Sequence, residues 1–223
     1  IINKDKKLDY SLIVTGLHLM NAHGKTNNKI KKDGFNISNT INMFDKNYKG
    51  DGASMIKSMG NVLQKLPKIL KKINPNLILA GFDIGANFSI VVSGAHLNIP
   101  IAHIQGGELS GSIDESLRHS MSKFSNFHFV ANNDAKKRLI KMGEKRKNIF
   151  IVGCPSIDAL KNAESVETKF LSKKFKFNFD QKFACMLQHP VTSENKSSKF
   201  QISQTLKALK LSKIPSFIIL PNN

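Results

Sequence analysis

The chain has 223 residues, 40% hydrophobic and 22% charged, the balance of an ordinary soluble globular protein with room for one large domain or one and a half smaller ones. No apolar run approaches the ~18–20 residues that a bilayer-spanning helix needs, so no membrane partner is expected. The formal net charge of +18 comes from lysines scattered over surface-like positions, with no basic block interleaved with aromatics and no Trp, which argues against a nucleic-acid interface and for a solvated surface with a bias toward anionic small molecules.

In chain order, Leu12-Ile13-Val14 reads as a short buried strand closed by Gly16 and His18. Asp51 to Ile73 carries apolar residues at Met55, Ile56, Met59, Val62, Leu63, Leu66, Ile69 and Leu70, the spacing of one face of a long helix. Pro67 falls inside that helix and predicts a kink or a break. Leu77 to Ala80 is the next strand, and Gly85 to Leu97 is a helix of small and apolar residues suited to tight burial. A strand at 100–104, a helix from residue 113, a strand at 127–131, a helix near 133–142 and a strand at 149–152 follow. Strands separated by helical stretches predict a parallel sheet with helices on both faces. Residues 161–181 are polar and weakly periodic, with a Phe/Lys alternation from Phe175 to Phe179, and read as a linker. A strand at Phe183 to Leu187, a helix at 196–211 and a strand at Phe217 to Leu220 then open a second α/β unit.

The N-terminus, Ile-Ile-Asn-Lys-Asp-Lys-Lys, has neither an initiator Met nor the apolar region of a signal peptide, and the chain stops at Pro221-Asn222-Asn223 directly after a strand-like run. A fragment is therefore expected. Cys154 and Cys185 lie far apart with no metal-binding spacing, as in reduced thiols of a cytoplasmic protein. Cys154 sits in an apolar setting without a basic neighbour, which predicts an inert thiol.

The chemistry concentrates in residues 103–119, which gather His103, Glu108, Asp114, Glu115, Arg118 and His119 around Gly106-Gly107, directly after the apolar run Ile99 to Ile104. In open α/β sheets, ligands collect beyond the carboxyl ends of the strands. Part of the segment has a local meaning: Ser112 with Glu115 three residues later is a capping box, and Arg118 is spaced to pair with Asp114. That leaves His103, Gly106-Gly107 and Glu108 unexplained. The helix start beyond a strand end offers free N–H groups to an anion, and the glycine pair permits positive φ or close approach of a ligand. His18, His103 and His189 each follow an apolar strand, and no H-x-x-x-H spacing points to zinc.

Five stretches together resemble the UDP-N-acetylglucosamine 2-epimerase family, in particular its hydrolysing branch of the sialic- and legionaminic-acid pathways. They are Val14-Thr15-Gly16-Leu17-His18-Leu19 with Gly24; His103 to His119; Val152 to Asp158; Leu187-Gln188-His189-Pro190-Val191-Thr192; and Leu220-Pro221-Asn222. The resemblance implies an α/β fold of two Rossmann-like domains, glycosyltransferase-B-like and here truncated at both ends, with the substrate in the cleft. Residues 1–160 would form the first domain without its first strand, 161–181 the linker, and 182–223 the start of the second domain.

The implied reaction removes UDP from UDP-N-acetylglucosamine by anti elimination, through a 2-acetamidoglucal-like intermediate to which water adds, giving N-acetylmannosamine or a related 2-acetamido sugar. By residue, Asp114, Glu115, Glu108 and Asp83 are the candidate proton-transfer carboxylates, and His189 contacts the diphosphate or assists its departure. His18, His103, Gln105, Gly107, Arg118 and Asn222 are the candidate substrate-binding residues. No metal or redox cofactor is implied, because the leaving group is already good. The implied enzyme is a cytoplasmic homo-oligomer whose partner is the UDP-sugar, and the chain by itself is expected to be inactive. Two positions depart from the family's pattern. Ala80-Gly81-Phe82-Asp83-Ile84-Gly85 stands where many relatives have His-Gly-Asp-Arg, and Gln105 stands where the animal enzymes have an acid. Glutamine cannot act as a general acid or base, so that role passes to a neighbour or is lost. The alternatives are a non-hydrolysing 2-epimerase, which keeps the sugar on UDP, a non-catalytic sugar-nucleotide-binding paralogue, and a basic nucleic-acid-binding module.

Overall fold

The computed structural model describes residues 2, 5–46, 48–82 and 85–221. The elements are β1 (Leu12–Thr15), α1 (Asn27–Lys32), β2 (Ile37–Ile41), α2 (Gly52–Ile73), β3 (Ile78–Gly81), α3 (Gly85–His96), β4 (Ile101–Ile104), α4 (Ile113–Phe124), β5 (Phe127–Val130), α5 (Asn133–Lys141), β6 (Ile149–Ile151), α6 (Pro155–Lys161), α7 (Thr168–Phe175), β7 (Ala184–Leu187), α8 (Ser198–Ser212) and β8 (Ser216–Ile219). Strands β3, β4, β5 and β6 pair in that order as a parallel sheet, and β1 with β2 and β7 with β8 form two parallel pairs. The chain divides into two units, residues 1–154 and 155–223.

Helix α2 begins where its sequence says it should. The Asp51 side chain accepts from the Ser54 amide, and the Ser54 hydroxyl answers the Asp51 amide, a reciprocal cap. The helix ends at Asn74, which takes up the left-handed conformation (φ +49) that side chains of its type tolerate. Ser58, Val62, Leu66 and Leu70, four residues apart, form its buried ridge. The ridge belongs to a core shared with Ile41, Met43, Ile78, Ala86, Val91, Ile101 and Met121. The helix runs unbroken through Pro67. The ring lies on the exposed side, so the missing backbone donor falls toward water while Leu66 and Leu70 hold the inner face.

Helix α3 packs closely because its buried residues are small. A Cβ at Gly85 would lie 2.7 Å from Met59 on α2, and one at Gly94 would lie 2.5 Å from Ile78 on β3. The hydroxyls of Ser89 and Ser93, buried in the same surface, each bond back to the carbonyl four residues earlier at 2.8 Å. Strand β4 is sealed: Ile101, Ala102 and His103 are all 0% exposed.

Three features depart from expectation. Strand β2 is present although only Ile37 and Ile41 are apolar in it, too few to show the alternation of a half-buried strand. Helices α1 and α7 were also not legible as elements. The stretch 161–181, expected to be a linker, carries α7 and three phenylalanines of the second unit. Phe175, Phe177 and Phe179 all pack against Phe217 of β8, with centroids 5.1–5.6 Å away. Phe177 and Phe179 also meet Phe183 edge to face. The alternation that looked like weak periodicity turns alternate side chains onto one aromatic cluster.

Candidate active site

Parallel pairing of β3 through β6 puts the carboxyl ends of four strands on one edge of the sheet. Beyond β4, the chain turns there through Gln105 (φ +61) and Gly107 (φ +82). The Gln105 amide donates to the Phe129 carbonyl at 2.8 Å, which extends the β4–β5 ladder by one bond. The Gln105 side chain crosses the edge the other way, and its Nε2 donates to Cys154 Sγ after β6 at 2.9 Å. Glycine is required at 107: a Cβ there would stand 2.6 Å from the Ala135 carbonyl oxygen of α5 and would carry left-handed strain besides. The Arg138 guanidinium on α5 donates to the Gly107 carbonyl.

The loop that follows carries Glu108, and the first turn of α4 carries Asp114 and Glu115. The Glu108 carbonyl accepts from Arg118 Nη1 at 2.8 Å, and its Oε1 accepts from Asn132 Nδ2 at 3.0 Å. Glu115 does not close the expected capping box. Its Oε2 accepts from the amides of Ser110 (2.8 Å) and Gly111 (2.9 Å), and Ser112 caps α4 through the Asp114 amide instead. The Glu115 carboxylate therefore clasps the loop onto the first turn of α4. The Gly111 and Ser110 amides hold its pKa below the ordinary value, so it stays ionised. Asp114 Oδ2 accepts from the Ser112 hydroxyl at 3.2 Å. Glu108, Asp114, Glu115 and Arg118 are all half-buried, which leaves them reachable from solvent.

His103, expected to line the sugar side, lies inside the fold. It is 0% exposed on β4, beneath Gly106, and its Nδ1 pairs with Ser122 Oγ at 3.0 Å. The Ser122 hydroxyl has one proton and also approaches the Arg118 carbonyl at 3.1 Å, so it donates there and accepts from a protonated Nδ1. The other nitrogen, Nε2, is buried without a partner among the described residues. Burial, reinforced by His128, Arg118 and His119, lowers the His103 pKa to about 4, so the ring is neutral. Its cross-strand partner His128 is equally sealed, meets Glu144 Oε2 at 3.2 Å, and is likewise held below its ordinary value by burial. His119 Nε2 stands 3.9 Å from Glu115 Oε1.

The other expected site residues are spread more widely. His18 is exposed on the 3-10 turn after β1, with its Nδ1 2.8 Å from Thr26 Oγ1. His189 is exposed in the loop after β7, in the second unit. Asp83 and Asn222 lie outside the described residues. Asn132, Arg138 and Ser122 touch the loop after β4 or its support, and nothing in the sequence singles them out as site residues. Asn132 carried a partial signal, since Asn ahead of Asn133-Asp134 reads as a helix cap, but its second bond reaches back 24 residues and leaves no local trace. No helix among the described residues is long and apolar enough to cross a membrane.

A loop with three positive-φ residues, and three carboxylates on it and on the helix turn that follows, at the carboxyl edge of a parallel sheet is suited to proton transfer on a bound ligand. The chain is 34% identical over 222 residues to a Legionella pneumophila UDP-N,N'-diacetylbacillosamine 2-epimerase (hydrolyzing), covering all of this chain and 58% of that protein. It is 32% identical to a Neisseria meningitidis UDP-N-acetylglucosamine 2-epimerase and to a Campylobacter jejuni GDP/UDP-N,N'-diacetylbacillosamine 2-epimerase (hydrolyzing), each covered to 57%. It thus spans a little over half the length of these relatives. In fold it resembles the crystal structure of UDP-GlcNAc 2-epimerase from Neisseria meningitidis bound to UDP-GlcNAc, with a TM-score of 0.77 at 16% identity over 98% of this chain and 60% of that one. The S. aureus MnaA–UDP co-structure gives 0.76 at 17% identity, over 99% and 56%. The family pattern of UDP-N-acetylglucosamine 2-epimerases matches residues 1–223, so the chain belongs to that family.

Proposed function

We propose that the full-length protein is a hydrolysing 2-epimerase of a UDP-linked 2-acetamido sugar, UDP-N-acetylglucosamine or a close derivative, serving sialic-acid-type sugar biosynthesis. The observation that carries the reading is the carboxylate loop 108–115, held at the sheet edge by Arg118, Arg138 and Asn132. The names of the Legionella and Campylobacter relatives favour the hydrolysing outcome. In this reading a base removes the C2 proton, the C1–O bond breaks with its electron pair leaving on UDP, and a 2-acetamidoglucal remains. Water then returns its hydroxyl to C1, and a proton is delivered to C2 on the opposite face.

Glu108 and Asp114 are the proton carriers in this proposal, because each has a half-buried carboxylate oriented, among the described residues, by one side-chain donor. Glu115 is the loop clasp and the nearest anion to His119. Gln105 is spent on Cys154 and takes no proton. Gly107 and Arg118 shape the loop that meets the sugar; the family resemblance assigns substrate contacts to His18 and Asn222, a proton-transfer role to Asp83 and the diphosphate to His189. The diphosphate departs without a metal or redox cofactor, and the enzyme works as a cytoplasmic homo-oligomer in which Cys154 and Cys185 form no disulfide. Incubation of the full-length protein with UDP-N-acetylglucosamine in deuterated water, followed by NMR, tests the reading. Release of UDP together with a 2-deuterated manno sugar supports it, and a sugar that stays on UDP would assign the non-hydrolysing reaction instead.

A further inference from the structure

We propose that Asn132 is the residue that positions the Glu108 carboxylate, through one side-chain amide that also caps helix α5; the role in catalysis rests on the reading of Glu108 given above. The amide has two ends, and the cap decides which is which. Its Oδ1 accepts from the Ala135 amide at 2.9 Å, the first-turn bond of α5, so the other end must be the NH2 group. That end points at Glu108 Oε1 at 3.0 Å. An oxygen there would face a carboxylate with no proton between them, so cap and carboxylate support one orientation of the side chain. The same helix anchors the loop once more, through Arg138 on the Gly107 carbonyl, and its Ala135 carbonyl lies so close to Gly107 that no side chain fits there. Arg118 of α4 holds the Glu108 main chain from the other side. Arg118 thus holds the Glu108 carbonyl and Arg138 the Gly107 carbonyl before it, and among the described residues Asn132 is the donor to the Glu108 side chain.

Substitutions separate the two jobs. Asn132→Ser keeps a good cap and removes the NH2 donor. Asn132→Ala removes both. Asn132→Asp keeps the cap and sets a second carboxylate against Glu108. In the full-length protein, Asn132→Ser is expected to leave the unfolding midpoint and amide-exchange protection of α5 at wild-type values. Exchange in peptides spanning 104–112 should rise severalfold. The kcat should fall roughly tenfold with KM little changed, as expected when a hydrogen bond that orients a charged group is lost. Asn132→Asp should be slower still at neutral pH with α5 intact, and Asn132→Ala should lower the midpoint as well. Wild-type exchange in 104–112 together with wild-type kcat in Asn132→Ser would reduce Asn132 to a helix cap and overturn the inference. The exchange measurement needs no turnover, so it decides the matter even if the wild-type protein released no UDP, a result that would count against the proposed function and not against the contact.

Discussion

Acidification should destabilise the first unit through His103. The ring is fully buried, neutral, and donates its only proton to Ser122. Protonating Nε2 would create a cation without an acceptor, facing His128 from β5 and Arg118 and His119 from α4. Its folded pKa of about 4 lies below the ordinary 6.5, so between those values the unfolded chain binds more protons than the folded one. The contribution to stability is therefore complete above pH 6.5 and is lost as pH falls through the window. The loss amounts to about 2 kcal/mol at pH 5 and about 3 kcal/mol once pH reaches 4. The assay is urea unfolding at pH 7.5 and pH 5.0, followed by tyrosine fluorescence, because Tyr10 and Tyr48 both lie in the first unit and the chain has no Trp. At pH 5 the contribution of Glu115, held below its ordinary 4.5, is still in place. His128 is also held below its ordinary value and loses stability in the same direction, so the comparison is with His103→Asn, whose amide can replace the donor to Ser122 and does not titrate. The wild type should lose about 2 kcal/mol more than the variant between the two pH values. Equal losses would refute the claim that His103 is sealed and neutral beneath the loop.

Gly107→Ala should cost roughly 2–3 kcal/mol of stability, since left-handed strain adds to a collision with the Ala135 backbone, which has no side-chain freedom with which to retreat; a loss below about 0.5 kcal/mol in urea unfolding would mean that the loop is not seated on α5. Phe217→Ala removes the shared ring of the aromatic cluster and should expose the lysines of 168–182 to trypsin severalfold faster, whereas unchanged cleavage would return 161–181 to the status of a free linker. Of Glu108→Gln and Asp114→Asn, the one that removes the C2 base should slow exchange of the C2 proton by on the order of 100-fold or more with folding intact, and wild-type exchange in both would move the base elsewhere.

Helix α2, the parallel sheet and the loop after β4 were legible because burial writes periodicity into sequence: Val62, Leu66 and Leu70 recur at helical spacing, and Ile99 to Ile104 is a short continuous apolar run. Strand β2 was not, since its polar Ser38, Asn39 and Thr40 hide the alternation. The carboxylates were found as a cluster, but their partners were not. Glu115 looked like half of a capping box because that is its commonest use at such spacing; the loop geometry set by Gly107 and Gly111 brings the Ser110 and Gly111 amides to it first. His103 looked like a site residue from its place at a strand end. Its neighbours Ser122 and His128 come from other elements, and together they put it under the site.

The reaction itself is tested most directly by one NMR time course of the full-length protein with UDP-N-acetylglucosamine in deuterated water. UDP should appear in step with a free N-acetylmannosamine-type sugar carrying deuterium at C2. UDP binding with neither UDP release nor deuterium at C2, on this or any other nucleotide-linked N-acetylhexosamine, would contradict catalysis and leave a sugar-nucleotide-binding protein.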